Sequence, residues 1–525
     1  MYSKSIALAV SRLALILFFV LALAGCGDDA DDMDPGMDEM VLEEHEDEEE
    51  HEHEHEDEHA EEVVTFDDHD GFERGESDGF TQYLRVTSDG RYGFVLQRSR
   101  NVTLDDQGIE DNRIYVVDSG LAVEEHGDHF DPVTRAPSLL PYQLGHGGGH
   151  AGEANFYNPV HFVTHHGLTA IFYDGIAGPS DDNPDLEEQN GWAVVYRNSD
   201  FEGSTEPPMP IFELKVDHYS HGAVVPVDDE HFIVTIAEPE GLPNGVEVYE
   251  AHEHGDHVDI DLVADFPGLC PRLHGEATWG HYVAFSCLDG EGILVLTHDD
   301  ETGEFESTVV SYPGMYTSGG VVATTLHADE VGHDDVIFMV RYGPNQQDFA
   351  KITEHDIEEG PDATPDVLEM PWGSDARHRA FAFEPVEGSA VRLLVQDADP
   401  DNYHLDVLEL GDMDHDVEGE GHFVVLTATG DLHIYDLTME SGEELVGTIS
   451  GIVGAECPEG IGCPSLALAP GFAYVSDPAE GKVYEVHLEE AHIERELDEH
   501  LDAPTQLVVL GRFGYELEHS HGRHE

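Results

Sequence analysis

After residue 63, the chain consists of short apolar runs that repeat, and long helical patterns are nearly absent. Runs rich in Val, Ile, Phe and Tyr alternate with turns of Gly, Asp, Asn and Pro, as in GFTQYLRVTSDGRYGFVLQ and PVHFVTHHGLTAIFYDG. The first of these stretches has the form of a strand, a tight Asp-Gly turn and a second strand. The pattern is typical of an antiparallel all-β protein.

The same strand–turn–strand shape returns in SHGAVVPVDDEHFIVTIAE, CPRLHGEATWGHYVAFSCLDG and ARHRAFAFEPVEGSAVRLLV, and third and fourth strands such as GILVLTHD and STVVSYPG often follow. About seven four-stranded units of roughly 55 to 65 residues predict an all-β fold, a β-propeller over residues 64–525. A two-domain β-sandwich would also have many strands, but it would not repeat a Gly/His-led first strand so regularly. We expect the unmatched run APTQLVVLG near the C-terminus to complete the first blade.

The N-terminal residues 1–25 have the features of a bacterial lipoprotein signal peptide. A short basic start with Lys4 and Arg12 precedes a long apolar run, and LAGC ends at Cys26 like a lipobox. Lipidation of Cys26 would anchor the protein to a membrane facing the periplasm, and the choice between inner and outer membrane stays open.

Residues 26–63 are expected to form a disordered acidic tether between the lipid and the propeller. This segment is dominated by Asp, Glu and His and cannot bury enough apolar surface to offset the entropy of ordering. Imidazoles spaced among carboxylates would collect a divalent cation loosely and release it easily. The metal-collecting histidines of the tether are His45, His51, His53, His55 and His59.

The chain of 525 residues carries a formal net charge of −93, with 114 acidic residues against 21 Lys and Arg. Nucleic acid is therefore not an expected partner, because its phosphates would be repelled. Metal binding needs some of these carboxylates but not this many. A halophilic or acid-adapted surface accounts for most of the charge.

Four cysteines remain once Cys26 is assigned to lipidation. In an oxidising compartment they are expected to form two disulfides, Cys270 with Cys287 and Cys457 with Cys463. Neither pair has the spacing of a zinc site.

Several histidines occur at equivalent positions of the repeated units. His161, His221, His274 and His378 stand at, or within one residue of, the same register at the start of a predicted first strand, and Glu276 lies close by. First strands line the central channel of a propeller, so these side chains would converge on one axis. Zinc binds four such nitrogen or oxygen ligands tetrahedrally. Because the chain has 36 histidines, chance alignment is the competing interpretation.

The motif HGDHxD occurs twice, each time between a predicted third and fourth strand. Two histidines in H-x-x-H spacing can chelate a metal, and the aspartates can add oxygen ligands, although solvated low-complexity loops would look the same. The candidate ligands in these loops are His126, Asp128, His129, His254, Asp256 and His257.

The segments PVHFVTHHGLTAIFYDG, HGAVVP, CPRLHGEATWGHYVAFSC with the following DGEGILVL, and HRAFAF together resemble the periplasmic zinc metallochaperones of the AztD family, as does HGDHxD. The resemblance covers about residues 65 to 515. It implies a β-propeller that binds zinc and passes it to the solute-binding protein of a zinc ABC importer. It also implies that His161, His221, His274 and Glu276 occupy matching positions. The lipobox and the long tether depart from this usually soluble family.

Three functions compete at this point. The first is a zinc chaperone, expected to be a monomer without enzymatic turnover. The second is a metal-dependent propeller hydrolase of the lactonase type, in which Glu276 would act as the general base. The third is a surface interaction module whose histidines bind nothing tightly. Copper competes with zinc as the metal, because imidazole sites bind Cu²⁺ more tightly than Zn²⁺.

Overall fold

A computed structural model describes residues 64–65 and most of 80–513. The longest gaps within the second range are 100–112, 145–157, 179–187, 325–335 and 369–377. The chain divides into residues 1–58 and 59–525, and every element below belongs to the second unit. Within the described residues, no helix is long and apolar enough to cross a membrane.

The described residues form seven antiparallel four-stranded sheets. Sheet 1 contains β2 (Phe80–Val86), β3 (Tyr92–Ser99), β4 (Arg113–Asp118) and β7 (Ser138–Leu144). A separate hairpin between its last two strands is made of β5 (Leu121–His126) and β6 (His129–Thr134). Sheet 2 contains β8 (Pro159–His165), β9 (Leu168–Tyr173), β10 (Trp192–Arg197) and β11 (Phe212–Lys215), with a short 3₁₀ helix at Asn198–Phe201.

Sheets 3 to 5 repeat this order. Sheet 3 contains β12 (Val224–Pro226), β13 (His231–Thr235), β14 (Val246–His254) and β15 (His257–Phe266). Sheet 4 contains β16 (Leu273–Trp279), β17 (Tyr282–Cys287), β18 (Gly292–Asp299) and β19 (Glu304–Ser311). Sheet 5 contains β20 (Ser318–Thr324), β21 (Val336–Tyr342), β22 (Gln347–Thr353) and β23 (Asp366–Leu368), with helix α1 (Glu354–Glu359) and a 3₁₀ turn (Gly360–Asp362) before β23.

The remaining strands form sheets 6 to 8. Sheet 6 contains β24 (His378–Phe383), β28 (His422–Thr427), β29 (Leu432–Asp436) and β30 (Glu444–Ile449). Sheet 7 contains β31 (Leu466–Ala469), β32 (Phe472–Asp477), β33 (Lys482–His487) and β34 (His492–Leu497). Sheet 8 has five strands: β1 (Val64–Thr65), β25 (Glu387–Ala398), β26 (Tyr403–Glu409), β27 (Val417–Glu418) and β35 (Pro504–Phe513).

Neighbouring sheets pack face to face, and each inner strand therefore reads as a continuous apolar run. In β17, Tyr282 and Ala284 face the core shared with sheet 5, whereas Val283 and Phe285 face the core shared with sheet 3. The alternation follows from the two-residue period of a strand that is buried on both faces. Similar cores join sheets 1 and 2, 2 and 3, 6 and 7, 7 and 8, and 8 and 1. The fold is the predicted all-β propeller.

The expected role of the C-terminal run is wrong. β35 pairs with β25 in sheet 8 and does not join the first strands of sheet 1. The expected hairpin between β24 and β25 is also absent, since β24 pairs with β28 and β25–β27 form an insertion that joins another sheet. The physical reason is burial on both faces: Leu393 packs toward sheet 7 and Leu394 toward sheet 1, so β25 fills the space between those sheets.

Both predicted disulfides are present. Cys270 is bonded to Cys287 across 17 residues of sequence, and Cys457 to Cys463 across six. The first bond is buried and joins the approach to β16 to the end of β17.

Candidate metal centre

Three histidines from consecutive sheets meet where their first strands begin. His161 lies in β8 of sheet 2, His221 lies just before β12 of sheet 3, and His274 is the second residue of β16 in sheet 4. The centroids of the His161 and His221 rings are 5.0 Å apart, and the His274 ring lies 5.8 Å from the first and 5.2 Å from the second. The fold thus brings together residues that are 53 to 113 positions apart in the sequence.

Glycines that follow two of these histidines explain why the local sequence reads His-Gly. A Cβ atom added to Gly222 would lie 2.6 Å from the Phe172 ring, so only glycine lets the chain pass this close to sheet 2. Gly275 has a φ of 79°, in the region that favours glycine, and lies at the irregularity between Leu273 and Glu276 where β16 shifts register against β17. Both glycines shape the backbone that carries the neighbouring imidazole.

Two of the imidazoles are held by carboxylates through Nδ1. Nδ1 of His161 lies 2.9 and 2.8 Å from the two Glu276 carboxylate oxygens, and Nδ1 of His221 lies 2.9 Å from Oδ2 of Asp174. With Nδ1–H donating to each carboxylate, Nε2 of each neutral ring carries a lone pair. These two Nε2 atoms lie 3.4 Å apart. If both rings were neutral, the lone pairs on the two Nε2 atoms would point at each other and repel. The geometry therefore favours a cation or a shared proton between these two atoms.

Charges around the cluster differ from ring to ring. Burial lowers the pKa of His161, but the charge and hydrogen bond of Glu276 outweigh burial and raise the net pKa above the ordinary histidine value. Burial also raises the pKa of Glu276, but His161 outweighs it and the net pKa is lowered, so this carboxyl group is ionised at neutral pH. Burial, followed by the neighbouring imidazoles of His221 and His161, lowers the pKa of His274 and favours its neutral, ligand form.

The donor set fits a tetrahedral zinc ion. Two imidazole nitrogens at about 2.0–2.1 Å from zinc lie about 3.4 Å apart, the separation of the two Nε2 atoms. One ligand atom from each of His161, His221 and His274 lies within 4.8 Å of the others. Histidines whose second nitrogen donates to a carboxylate are the usual arrangement around protein-bound zinc. The side chains of His161 and His221 are 15% and 27% exposed, so solvent reaches the cluster.

Other candidates from the sequence lie apart from this cluster or outside the described side chains. Glu276 contacts the cluster through Nδ1 of His161. His378 begins β24, but its side chain lies outside the described set. The tether histidines and Cys26 lie outside the described residues altogether.

The two HGDH segments are hairpin tips. His126 pairs with His129 across β5 and β6, and His254 pairs with His257 across β14 and β15. His254 is exposed, with Nε2 3.7 Å from Oδ2 of Asp259. The intervening Asp128 and Asp256, and the side chains of His126, His129 and His257, lie outside the described residues.

Asp174 is the residue of the cluster that sequence reasoning missed. It follows β9 directly in the turn FYDG, and its side chain is buried. Only an Asp-Gly turn marks it in the sequence, and that signal is shared by many turns. Its contact with His221 crosses from sheet 2 to sheet 3, which a register of first strands does not reveal.

Comparisons with known proteins agree with this fold. No family model matches the chain. The chain is 30% identical to the zinc chaperone AztD of Citrobacter koseri over 187 residues. The matched segment covers 35% of this chain and 35% of the length of this curated relative. The crystal structure of Citrobacter koseri AztD matches with a TM-score of 0.54 and 20% identity, over 82% of this chain and 90% of that one. The structure of apo AztD from the same organism matches with a TM-score of 0.54 and 19% identity over the same shares. The chain therefore has the fold of the AztD structures and is similar in sequence to a zinc chaperone over about a third of its length.

Proposed function

We propose that this protein is a periplasmic zinc carrier that binds its cargo at His161, His221 and His274 and passes it to the solute-binding protein of a zinc ABC importer. The observation that carries the proposal is the pair of Nε2 atoms 3.4 Å apart on rings fixed by carboxylates. Similarity to the zinc chaperone AztD favours zinc as the cargo. Cu²⁺ is the competing ion, because it binds imidazole more tightly.

Transfer needs a site that a partner can reach. Three protein ligands leave the fourth zinc position for water or for an incoming ligand. The partial exposure of His161 and His221 is compatible with such an exchange. A donor ligand of the receiving protein would take the open position and then replace the histidines one at a time.

The N-terminal segment fits the same role. We propose that Cys26 is lipidated, that the protein is held at a periplasmic membrane surface, and that the tether collects zinc at low affinity. Alternating His and Glu exchange a cation quickly, which suits capture ahead of the tighter site in the propeller.

A metal-dependent hydrolase is the second candidate, because three histidines and one open position also occur in catalytic zinc sites. Such an enzyme needs a general base within hydrogen-bond reach of the attacking water. Glu276 already accepts a hydrogen bond from Nδ1 of His161 and thereby orients this imidazole as a candidate metal ligand. The carrier function therefore accounts for more of the geometry.

Transfer kinetics test the proposal. The zinc-loaded mature protein is mixed with the metal-free solute-binding protein, and the transfer rate is compared with zinc release into excess chelator. Direct transfer predicts a rate that exceeds spontaneous release and rises with acceptor concentration. The His221→Ala variant should lose tight binding and transfer, whereas His355→Ala, which changes an exposed histidine of α1, should behave as wild type.

Equal rates of transfer and of release into chelator would contradict the carrier function. Zinc-dependent turnover of lactones that His221→Ala abolishes would favour the hydrolase.

A further inference from the structure

A second group of metal-ligating side chains lies between sheets 3 and 4. It consists of Asp228 and His231, at the turn between β12 and β13, and His298, near the end of β18. One ligand atom from each lies within 4.8 Å of the others. None of these residues belongs to the cluster described above.

The turn holds the carboxylate of Asp228 in place. Its Oδ1 accepts hydrogen bonds from the backbone N–H groups of Glu230 at 2.8 Å and His231 at 2.7 Å. This leaves Oδ2 facing the histidines, 2.8 Å from Nδ1 of His231 and 3.7 Å from Nδ1 of His298. The carboxylate therefore bridges two imidazoles that come from different sheets.

Aromatic packing fixes the two rings. His298 stacks on Phe305, its cross-strand partner in β19, with centroids 4.4 Å apart and planes at 14°. His231 meets the same phenyl ring edge-on at 5.4 Å, and the two imidazole centroids are 5.0 Å apart. His298 is nearly buried and His231 is 17% exposed, whereas Asp228 is 39% exposed. Because packing already fixes both imidazole rings, less conformational entropy is lost when these side chains bind an ion.

This group and the first cluster lie at opposite ends of the same two sheets. His221 precedes β12 and Asp228 follows it, so the two residues lie at opposite ends of this strand. In sheet 4, His274 is at the start of β16, whereas His298 is at the far end of β18, which runs parallel to β16. Any ion bound here is thus separate from the first site.

We propose that Asp228, His231 and His298 form a second binding site for a divalent transition-metal ion of the zinc class. Two imidazole nitrogens and one carboxylate oxygen are a zinc ligand set, and they leave one position for water or for a ligand of a partner. Ligand atoms of a tetrahedral zinc lie about 3.4 Å apart, so small side-chain rotations would close the present spacing. Glu250, the strand partner of His231, adds negative charge that favours a cation.

The second site is tested by measuring the Tm of the mature chain at a series of free zinc concentrations, each set by a chelator. The starting variant, or background, carries both His161→Ala and His221→Ala, which remove the first cluster. The test is therefore independent of the proposed carrier function. An ion that binds only the folded propeller raises Tm, whereas an ion held equally by the folded and unfolded chain does not. Zinc should still raise Tm in this background, and adding His231→Ala or Asp228→Asn should lower the zinc affinity at least tenfold.

The matched control is His487→Ala with His492→Ala. These two imidazoles also stack across a hairpin, at 5.6 Å and 17°, and His492 contacts Glu494 at 2.8 Å. This control should leave the zinc-induced rise in Tm unchanged. Absence of any zinc-induced rise in the background, or a rise that His231→Ala leaves intact, would overturn the proposal.

A measurement on the unaltered chain covers the case in which a variant fails to fold. Crystals of the zinc-loaded protein should give an anomalous peak at the zinc edge bounded by Asp228, His231 and His298. Loaded crystals with no peak at this position would overturn the second site.

Discussion

At the scale of single residues, two Nε2 atoms that face each other beside a third histidine distinguish the candidate metal centre from an ordinary buried ion pair. His221 and His161 have Nδ1 held by Asp174 and Glu276, and their Nε2 atoms face each other. His422 also donates from Nδ1 to a carboxylate, that of Glu384 at 2.7 Å, but this pair forms no described cluster with a third ligand. The same local contact therefore orients a candidate metal ligand in one place and pairs two buried side chains in the other.

The Asp174→Asn substitution tests the orienting role. An amide keeps the size of the side chain but loses the charge that fixes Nδ1–H of His221, so zinc affinity should fall about 10- to 100-fold. Competition with a chelator of known affinity measures the change. Glu384→Gln is the matched control: it should lower the free energy of unfolding and leave zinc affinity intact. Equal affinities of Asp174→Asn and wild type would show that Asp174 does not orient a ligand.

Sequence alone could place the three histidines and Glu276, the partner of His161, but not Asp174, the partner of His221. The repeat register predicted that His161, His221, His274 and His378 converge, because equivalent positions of first strands face one axis, and the first three of them lie together in the structure. Asp174 and the second group around Asp228 come from turns whose contacts cross between sheets. No periodicity along the chain marks such contacts, so only coordinates reveal them.

At the scale of elements, the Cys270–Cys287 disulfide supports the strand that carries His274. Cys287 is the strand partner of Leu273, the residue before His274. Both sulfur-bearing side chains are buried. The bond therefore ties the entry of β16 to β17 beside the candidate metal centre.

Replacing Cys270 and Cys287 by serine should lower the free energy of unfolding by about 3 kcal/mol, the loop-entropy value for 17 residues. Zinc affinity should fall as well, because the entry of β16 loosens. Replacing Cys457 and Cys463 should cost about 2 kcal/mol for the shorter loop and leave zinc affinity unchanged. Denaturant unfolding and zinc competition measure both quantities. Loss of zinc affinity in both double variants would contradict a local role for the first disulfide.

Strand pairs joined by short turns were the elements that sequence predicted well. Apolar runs on either side of an Asp-Gly or similar turn, as in β2 and β3, form hairpins in the structure. The run through β24 and β25 looked the same but divides between sheets 6 and 8. An insertion and a local hairpin have the same apolar pattern, and only the partners available elsewhere in the chain distinguish them.

At the scale of the whole molecule, sheet 8 joins the two ends of the described chain. β1 near residue 64 pairs with β26, and β35 near residue 513 pairs with β25. This sheet packs between sheets 7 and 1. The packing of sheets 7, 8 and 1 therefore depends on strands from both ends of the chain.

Ending the chain at residue 503 removes β35 and with it the buried side chains of Leu507, Val509 and Leu510. At about 1.5–3 kcal/mol for each of these side chains, the loss approaches the total stability of a typical domain. The shortened chain should lose its cooperative thermal transition, as followed by circular dichroism. A chain that ends at residue 513 keeps β35 and should unfold like the full chain. Cooperative unfolding of the shorter form at an unchanged Tm would contradict this role for sheet 8.

Anomalous diffraction at the zinc edge from zinc-loaded crystals would show whether three sheets bring His161, His221 and His274 onto one zinc ion. We expect a peak about 2.0–2.1 Å from Nε2 of both His161 and His221, with His274 as the third ligand. Zinc bound only elsewhere, with these imidazoles bonded to protein groups alone, would contradict this expectation.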